Sequence, residues 1–468
     1  MIDLRTIVKA YDVRGVVPDQ LDADVARAIG AAFVDVVLAG TEGGRIVIAR
    51  DMRPSGPDLV AAFAAGATLR GVDVVDVGLG STDLLYYASG SLSLPGAMFT
   101  ASHNPAKYNG IKLCRPGAAP VGNDTGLVEI RERAQAYLED SQSLVAAARQ
   151  GSIEETSVLL DYGRHLRSLV DLSGIRPLRV VVDAGNGMAG YTVPAVLDAD
   201  SPLGDEGQGP LPLTIVPMYF ELDGSFPNHE ANPLEPANLV DLQKGVVAAR
   251  GDIGLAFDGD ADRCFVVDEL GAAVSPSAIT ALVAERELAR APGSTVIHNL
   301  ITSRAVPEIV TEHGGNPVRT RVGHSYIKAE MASTNAVFGG EHSAHYYFRD
   351  FWFADTGMLA AMHVLAALGE QDKPLSELAA KYERYTASGE INSTVDDQAA
   401  RSAAIREHFA ARTTAVDELD GLTIDLEPGS WLNVRASNTE PLLRLNVEAP
   451  DAATMAAVRD EALAVIRS

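Results

Sequence analysis

A chain of 468 residues is too long for one hydrophobic core and calls for three or four domains. Its formal net charge of −25, with 47% hydrophobic and 22% charged residues, describes a globular protein whose surface repels polyanions. Nucleic acid and anionic membranes are thereby excluded as partners, and any phosphorylated ligand must be small and held in a locally basic cleft.

Residues 5–17 read as a strand that alternates Lys9 and Tyr11 onto one face, with Arg14 and Gly15 just beyond. An amphipathic helix over 22–38 leads to a strand at 45–49, a charged loop at 50–55, a helix over 56–70 and a strand over 72–77. That alternation predicts a parallel α/β sheet. An apolar run at 94–99 feeds the polar loop Thr100-Ala101-Ser102-His103-Asn104-Pro105, and a charged helix over 124–149 closes a first domain of residues 1–153. The strand-then-polar-loop opening recurs at 178–187 and again at 294–298, so three related α/β domains are expected, divided at 154–272 and 273–382. After Tyr385 the order becomes a helix (397–411), three short strands (422–426, 431–435, 442–447) and a helix (452–466), an α+β domain over 383–468. Cys114 and Cys264 lie in strand context and read as reduced thiols. The first residues lack a signal-type apolar core, and the apolar helical stretch 357–368 is too short for a bilayer of about 30 Å, so a cytoplasmic protein is expected.

Two stretches carry chemistry. Ser102 stands in a loop that aims its hydroxyl outward, and taken alone it reads as a turn or N-cap residue. A Ser-His pair with His103 is disfavoured, because neighbours in an extended loop point apart and no G-x-S-x-G elbow surrounds them. A serine that carries a phosphoryl group is the other reading. Asp258-Gly259-Asp260-Ala261-Asp262-Arg263 stands between apolar runs at 253–257 and 264–267. Three carboxylates so close repel one another unless a hard divalent cation joins them; an exposed acidic turn without metal is the other reading. An EF-hand is excluded by Arg263 at the glycine position and by flanking strands.

Together, Thr100-Ala-Ser-His-Asn-Pro105 and Asp258-Gly-Asp-Ala-Asp-Arg263 resemble the α-D-phosphohexomutase superfamily, in particular its bacterial phosphomannomutase/phosphoglucomutase branch. Tyr11-Asp-Val-Arg-Gly15 and Val182-Asp-Ala-Gly-Asn-Gly187 are similar to further stretches of that branch, and the motifs recur in family order along almost the whole chain. The resemblance implies a heart-shaped arrangement of three related mixed or parallel α/β-sheet domains and a C-terminal α+β domain around a central cleft. It implies that Ser102 is the phosphoryl carrier and that Asp258, Asp260 and Asp262 bind Mg²⁺ together with it. Lys112 corresponds to the family's lysine near the transferred group, as general acid/base or electrostatic clamp, and Arg263 can reach phosphate oxygens.

Gly323-His324-Ser325 read alone is a loop-to-helix transition with Ser325 as a cap; the resemblance brings His324 to the sugar. Glu341 and Ser343, on alternate positions, resemble the pair that meets O3 and O4 of the hexose, and the Ser-Ala-His345 run that follows looks most like dedicated phosphomannomutases. Arg435, Ser437, Asn438 and Thr439 form a loop that the resemblance makes the cradle of the phosphate not being transferred, with Tyr11 and Arg14 as further substrate contacts. The expected activity interconverts hexose 6-phosphate and hexose 1-phosphate, of mannose and glucose, through a hexose 1,6-bisphosphate that also serves as activator. A hinge over 379–388 is expected to open the last domain. Glucosamine or N-acetylglucosamine phosphate mutase, a Mg²⁺-dependent phosphatase and a sugar-phosphate-binding protein without turnover are the alternatives, and the expected assembly is a monomer or homodimer.

Overall fold

The computed structural model describes residues 2–40, 43–203, 209–427, 429–437 and 442–468. The chain divides into two compact units, Met1–Val274 with Ser343–Ser376, and Ser275–His342 with Glu377–Ser468.

The first unit begins with a 3-10 turn, Leu4–Thr6, and the strand β1, Val13–Val16. The long opening strand expected over 5–17 does not form. Val8 bridges to Val13 across a tight turn in which the Lys9 N–H donates to the Asp12 carbonyl at 2.8 Å, so Lys9 and Tyr11 lie in the turn and share no strand face. Helix α1, Ala23–Val37, starts where the Asp22 carboxylate accepts from the Val25 N–H at 2.9 Å. Its apolar face, including Val25, Ile29 and Phe33, packs in one core with Leu59 and Phe63 of α2, Gly56–Leu69. Strands β2 (Arg45–Arg50), β3 (Asp73–Leu79), β4 (Gly96–Phe99) and β5 (Tyr108–Arg115) continue the sheet, in order β1-β5-β4-β2-β3, with Ile153–Glu155 at the far edge and the short Ala119–Pro120 pairing antiparallel to the end of β5. Between β3 and β4 lies helix α3, Thr82–Leu92.

The sheet is mixed, one of the two forms expected, and the β/α rhythm of the sequence accounts only for its parallel part. β2 runs parallel to β3 and β4, but β5 is antiparallel to both β4 and β1. The reason is the Ser102 loop itself: the residues between β4 and β5 are too few for a crossover, which takes about a dozen or more. The same logic governs the second sheet of this unit. Its strands Leu213–Met218, Leu178–Asp183 and Ile253–Phe257 are parallel, and Cys264–Asp268 then turns back antiparallel across the short aspartate loop. Both chemistry-bearing loops therefore sit at the point where a parallel sheet reverses. The charged helix is Leu127–Glu139, shorter than expected over 124–149. Asp140 ends it by accepting from the Gln142 N–H at 3.0 Å and starting a separate 3-10 turn.

In the second unit, Thr295–Asn299 is flanked in parallel by Asn316–Thr320 and Phe338–Gly340, and helix Pro276–Arg290 packs against the latter, where a Cβ on Gly340 would lie 2.5 Å from Thr280. The terminal sheet is antiparallel: Leu442–Ala449, Ser430–Ala436, Leu422–Leu426 and Thr413–Asp417 pair in that order. Helices Gln398–Phe409 and Ala452–Ile466 cover it through Ile405, Phe409, Val458 and Ile466. Cys114 and Cys264 are both buried free thiols. Among the described residues no helix is long and apolar enough to cross a membrane.

Candidate active site

Ser102 has a left-handed backbone, φ 50°, and its N–H donates to Thr100 Oγ1 at 2.9 Å. Its hydroxyl donates to Asp258 Oδ2 at 2.8 Å and lies 3.2 Å from His103 Nδ1. The rule that neighbours point apart assumes extended backbone, and the left-handed turn breaks it, so the serine and histidine side chains meet after all. His103 is still a poor base. Arg263 Nη2 donates to its Nδ1 at 2.6 Å, and because a guanidinium has no acceptor that nitrogen must be the unprotonated one. Burial, then the charges of Arg263 and Arg14, push the imidazole down to about 2.

Asp258, Asp260 and Asp262 are buried, and their carboxylate oxygens gather within 4.8 Å of one another. Lys112 of β5 reaches across with Nζ at 2.7 Å from Asp260 Oδ2 and 2.6 Å from Asp262 Oδ2. Arg263 Nε donates to Asp258 Oδ2 at 2.9 Å, and Thr82, at the start of α3, donates its hydroxyl to Asp260 Oδ2 at 2.6 Å. Burial raises Asp258's carboxyl, opposed by Arg263 and reinforced by Asp262 and Asp260. Burial would also raise Asp260, but the Lys112 ammonium outweighs it and holds this carboxyl below its ordinary range. Lys112 is itself pulled down by burial and lifted further by Asp260 and Asp262, so it stands well above the usual lysine value. Three carboxylates thus face two fixed cations, one negative charge in excess. Asp260 Oδ1 and Asp262 Oδ1 are buried with no hydrogen-bond partner. An all-oxygen donor set with unsatisfied lone pairs fits a hard divalent cation.

Gly259 makes the two loops meet. A Cβ there would lie 2.5 Å from the Ser102 carbonyl oxygen, so only glycine allows the aspartate loop to touch the serine loop. Arg14 joins the same surroundings, with Nη1 at 2.6 Å from Asn104 Oδ1 and Nη2 at 2.6 Å from Asp12 Oδ2; Tyr11 is half-buried in the preceding turn. His345 places Nδ1 2.9 Å from Ser343 Oγ and Nε2 3.7 Å from Asp262 Oδ1.

The remaining candidates belong to the second unit. Glu341 is buried and accepts from Asn299 Nδ2 at 3.2 Å and from the Gly323 N–H at 3.3 Å. His324 opens the helix His324–Thr334, whose cap is Gly323 in place of the expected Ser325. Arg435 Nη2 lies 3.3 Å from Glu390 Oε2, and the Ser437 N–H donates to the Leu442 carbonyl at 2.8 Å. Asn438 and Thr439 lie outside the described residues.

Arg53 was not legible as a site residue. It is fully buried beside Asp51, yet its guanidinium ends on the serine loop: Nη1 donates to the carbonyls of Pro105 (3.0 Å) and Tyr108 (2.9 Å), and Nη2 to those of Ser102 (2.8 Å) and Asn104 (2.7 Å). The available signal was an Asp-x-Arg-Pro run leaving an apolar strand, which by itself reads as a solvated charged loop.

Four family models match the chain in order. They are phosphoglucomutase/phosphomannomutase alpha/beta/alpha domain I over residues 5–140, domain II over 161–271, domain III over 275–385 and the C-terminal domain over 390–465. A phosphomannomutase of Escherichia coli is 38% identical over 466 residues, 99% of either chain. A protein of Xanthomonas campestris pv. campestris named phosphohexose mutases is 40% identical over 443 residues, 94% of either chain. A crystal structure of a phosphoglucomutase/phosphomannomutase family protein from Burkholderia thailandensis superimposes with a TM-score of 0.85 at 34% identity, covering 100% of this chain and 98% of that one.

Proposed function

The chain belongs to the phosphoglucomutase/phosphomannomutase family and is a phosphohexomutase, and from that premise we propose how its residues move the phosphoryl group between O1 and O6 of a hexose. Ser102 is the carrier. The observation that carries this reading is its hydroxyl, 2.8 Å from one of three clustered buried aspartates whose charge is only partly balanced. In the forward half, the bond from phosphorus to Ser102 Oγ breaks as one forms to the free sugar hydroxyl, which becomes the second ester of a 1,6-bisphosphate; one proton leaves the sugar hydroxyl and one is returned to Ser102 Oγ, so the serine ends as a neutral hydroxyl. In the return half, the other phosphoryl passes back to Ser102 Oγ and the isomeric monophosphate leaves.

Such a transition state spreads charge over the phosphoryl oxygens and needs fixed opposite charge more than a strong nucleophile. Lys112 and Arg263 supply it from residues already anchored on the aspartates. Magnesium held by Asp258, Asp260, Asp262 and the phosphorylated serine would add further neutralisation there. Arg14, bonded to Asn104, lies beside the serine loop and is assigned a substrate phosphate or hydroxyl, together with Tyr11. His345, and in the second unit Glu341, His324, Arg435, Ser437, Asn438 and Thr439, take the recognition roles that the motif resemblance implies, with Ser343 paired to His345. Domain limits near 153, 272 and 382, a cytoplasmic location and a monomer or homodimer complete the proposal.

Turnover of mannose 1-phosphate and glucose 1-phosphate, with Mg²⁺ and a hexose 1,6-bisphosphate primer, tests it. The 6-phosphate of either sugar is expected; inorganic phosphate appearing faster than isomer would indicate a phosphatase, and no product from either sugar would overturn the reading. Removing divalent cations with a chelator is expected to lower turnover by roughly 10²-fold or more, with recovery on adding Mg²⁺. Full activity in chelator would remove the cation from the scheme.

A further inference from the structure

We propose that Arg53 is a positioning residue that sets the conformation of the Ser102 loop for phosphoryl transfer; the proposal rests on the reading of Ser102 as carrier. A guanidinium has five N–H donors in a rigid fork. In Arg53 every nitrogen is engaged: Nε with Asp51 Oδ2 at 3.1 Å, and the two terminal nitrogens with four backbone carbonyls between residues 102 and 108. The group is 0% exposed, so no water competes for these bonds. Asp51 also fixes the start of the side chain, accepting from the Arg53 backbone N–H at 3.0 Å. The Phe226 ring covers the guanidinium at 5.2 Å, and a Cβ on neighbouring Gly224 would lie 2.7 Å from Arg53 Cα, so that segment closes tightly over it.

The target of the fork is what separates this residue from an ordinary buried arginine. Its four carbonyl bonds go neither to the strand before it nor to the helix after it: three go to the loop that holds the reacting serine and the fourth to Tyr108, where β5 begins. Ser102 keeps a left-handed backbone without being glycine, a conformation that persists only when its surroundings hold it. The fork also decides where four peptide dipoles point. With the oxygens of Ser102, Asn104, Pro105 and Tyr108 drawn onto Arg53, their negative ends are balanced by a cation. Because Asp51 neutralises the arginine locally, the device orients the loop without adding net charge to the site.

Arg53→Lys keeps a cation beside Asp51 and removes the fork, and the full-length chain is the material to test. The variant is expected to fold and to melt a few degrees below the parent, because buried carbonyls of the serine loop lose donors. Its kcat should fall by about 10²-fold with KM for the sugar phosphate within about 3-fold, since a displacement of the reacting group near 1 Å costs that much while recognition groups elsewhere are untouched. Amide exchange in a peptide covering 100–109 should speed up while that of helix 56–69 does not. Parental kcat in the variant, or kcat and KM lost together in a chain that remains folded, would overturn the proposal. Should the lysine chain be recovered unfolded, Phe226→Leu leaves every donor in place and loosens only the cover. A several-fold lower kcat with faster exchange in the same loop supports the role, and unchanged kcat overturns it. Mass spectrometry of parental Ser102 separates the two layers: a bare serine throughout turnover sinks the carrier reading, whereas a phosphorylated parent with an unimpaired lysine variant sinks only Arg53.

Discussion

Ser102→Ala is expected to reduce mutase turnover by at least about 10³-fold while the chain folds and still binds a hexose bisphosphate. The covalent step has no substitute acceptor, because the next hydroxyl in the loop, Thr100 Oγ1, is committed to the Ser102 N–H. The structural cost is small by comparison. The serine hydroxyl contributes one hydrogen bond to Asp258, of about 1 kcal/mol net, and Asp258 keeps its bonds from the Arg263 side chain and from the Arg263 backbone N–H at 3.2 Å. Alanine bears the left-handed φ at a cost close to that already borne by serine, roughly 1–2 kcal/mol. Isomer formation from mannose 1-phosphate, with a thermal melt of the same sample, checks the prediction. Residual turnover within tenfold of the parent would show that the hydroxyl carries nothing.

What the sequence made legible divides along the range of the interactions. The helices 23–37, 56–69 and 452–466 are local products of periodicity and caps such as Asp22 and Asp451, and they appear within a residue or so of expectation. The serine loop and the aspartate triplet were visible because their chemistry is written in consecutive residues. The direction of β5 depends on a loop length, which was available but had to be weighed against the α/β rhythm that argued for parallel strands. The left-handed turn at Ser102 left no local mark, since serine rarely adopts it, and so the contact with His103 could not be foreseen. Arg53 and Thr82 are harder still. Each acts on a partner far along the chain, 49 residues to Ser102 and 178 to Asp260, and nothing near either names that partner.

Lys112→Met should separate stability from catalysis through the charge count of the aspartate cluster. The ammonium lies 2.7 and 2.6 Å from two carboxylates that are themselves essentially without exposure, while its own side chain is 18% exposed. Removing it leaves three buried carboxylates against Arg263 alone. Breaking one side of a buried ion pair costs roughly 3–5 kcal/mol, and the partial exposure on the lysine side places the effect toward the lower end. Without divalent cation the variant should therefore melt several degrees below the parent. Adding Mg²⁺ should raise its melting temperature by more than it raises the parent's, because a cation that binds only the folded cluster no longer shares it with an ammonium. Turnover should move the other way, falling by about 10²–10³-fold even at saturating Mg²⁺, since the fixed positive charge that meets the phosphoryl oxygens is gone. A solvated surface lysine would give neither result. A metal-free melt identical to the parent's would mean the ammonium does not balance the triplet, and parental turnover at saturating Mg²⁺ would mean it plays no part in the transfer.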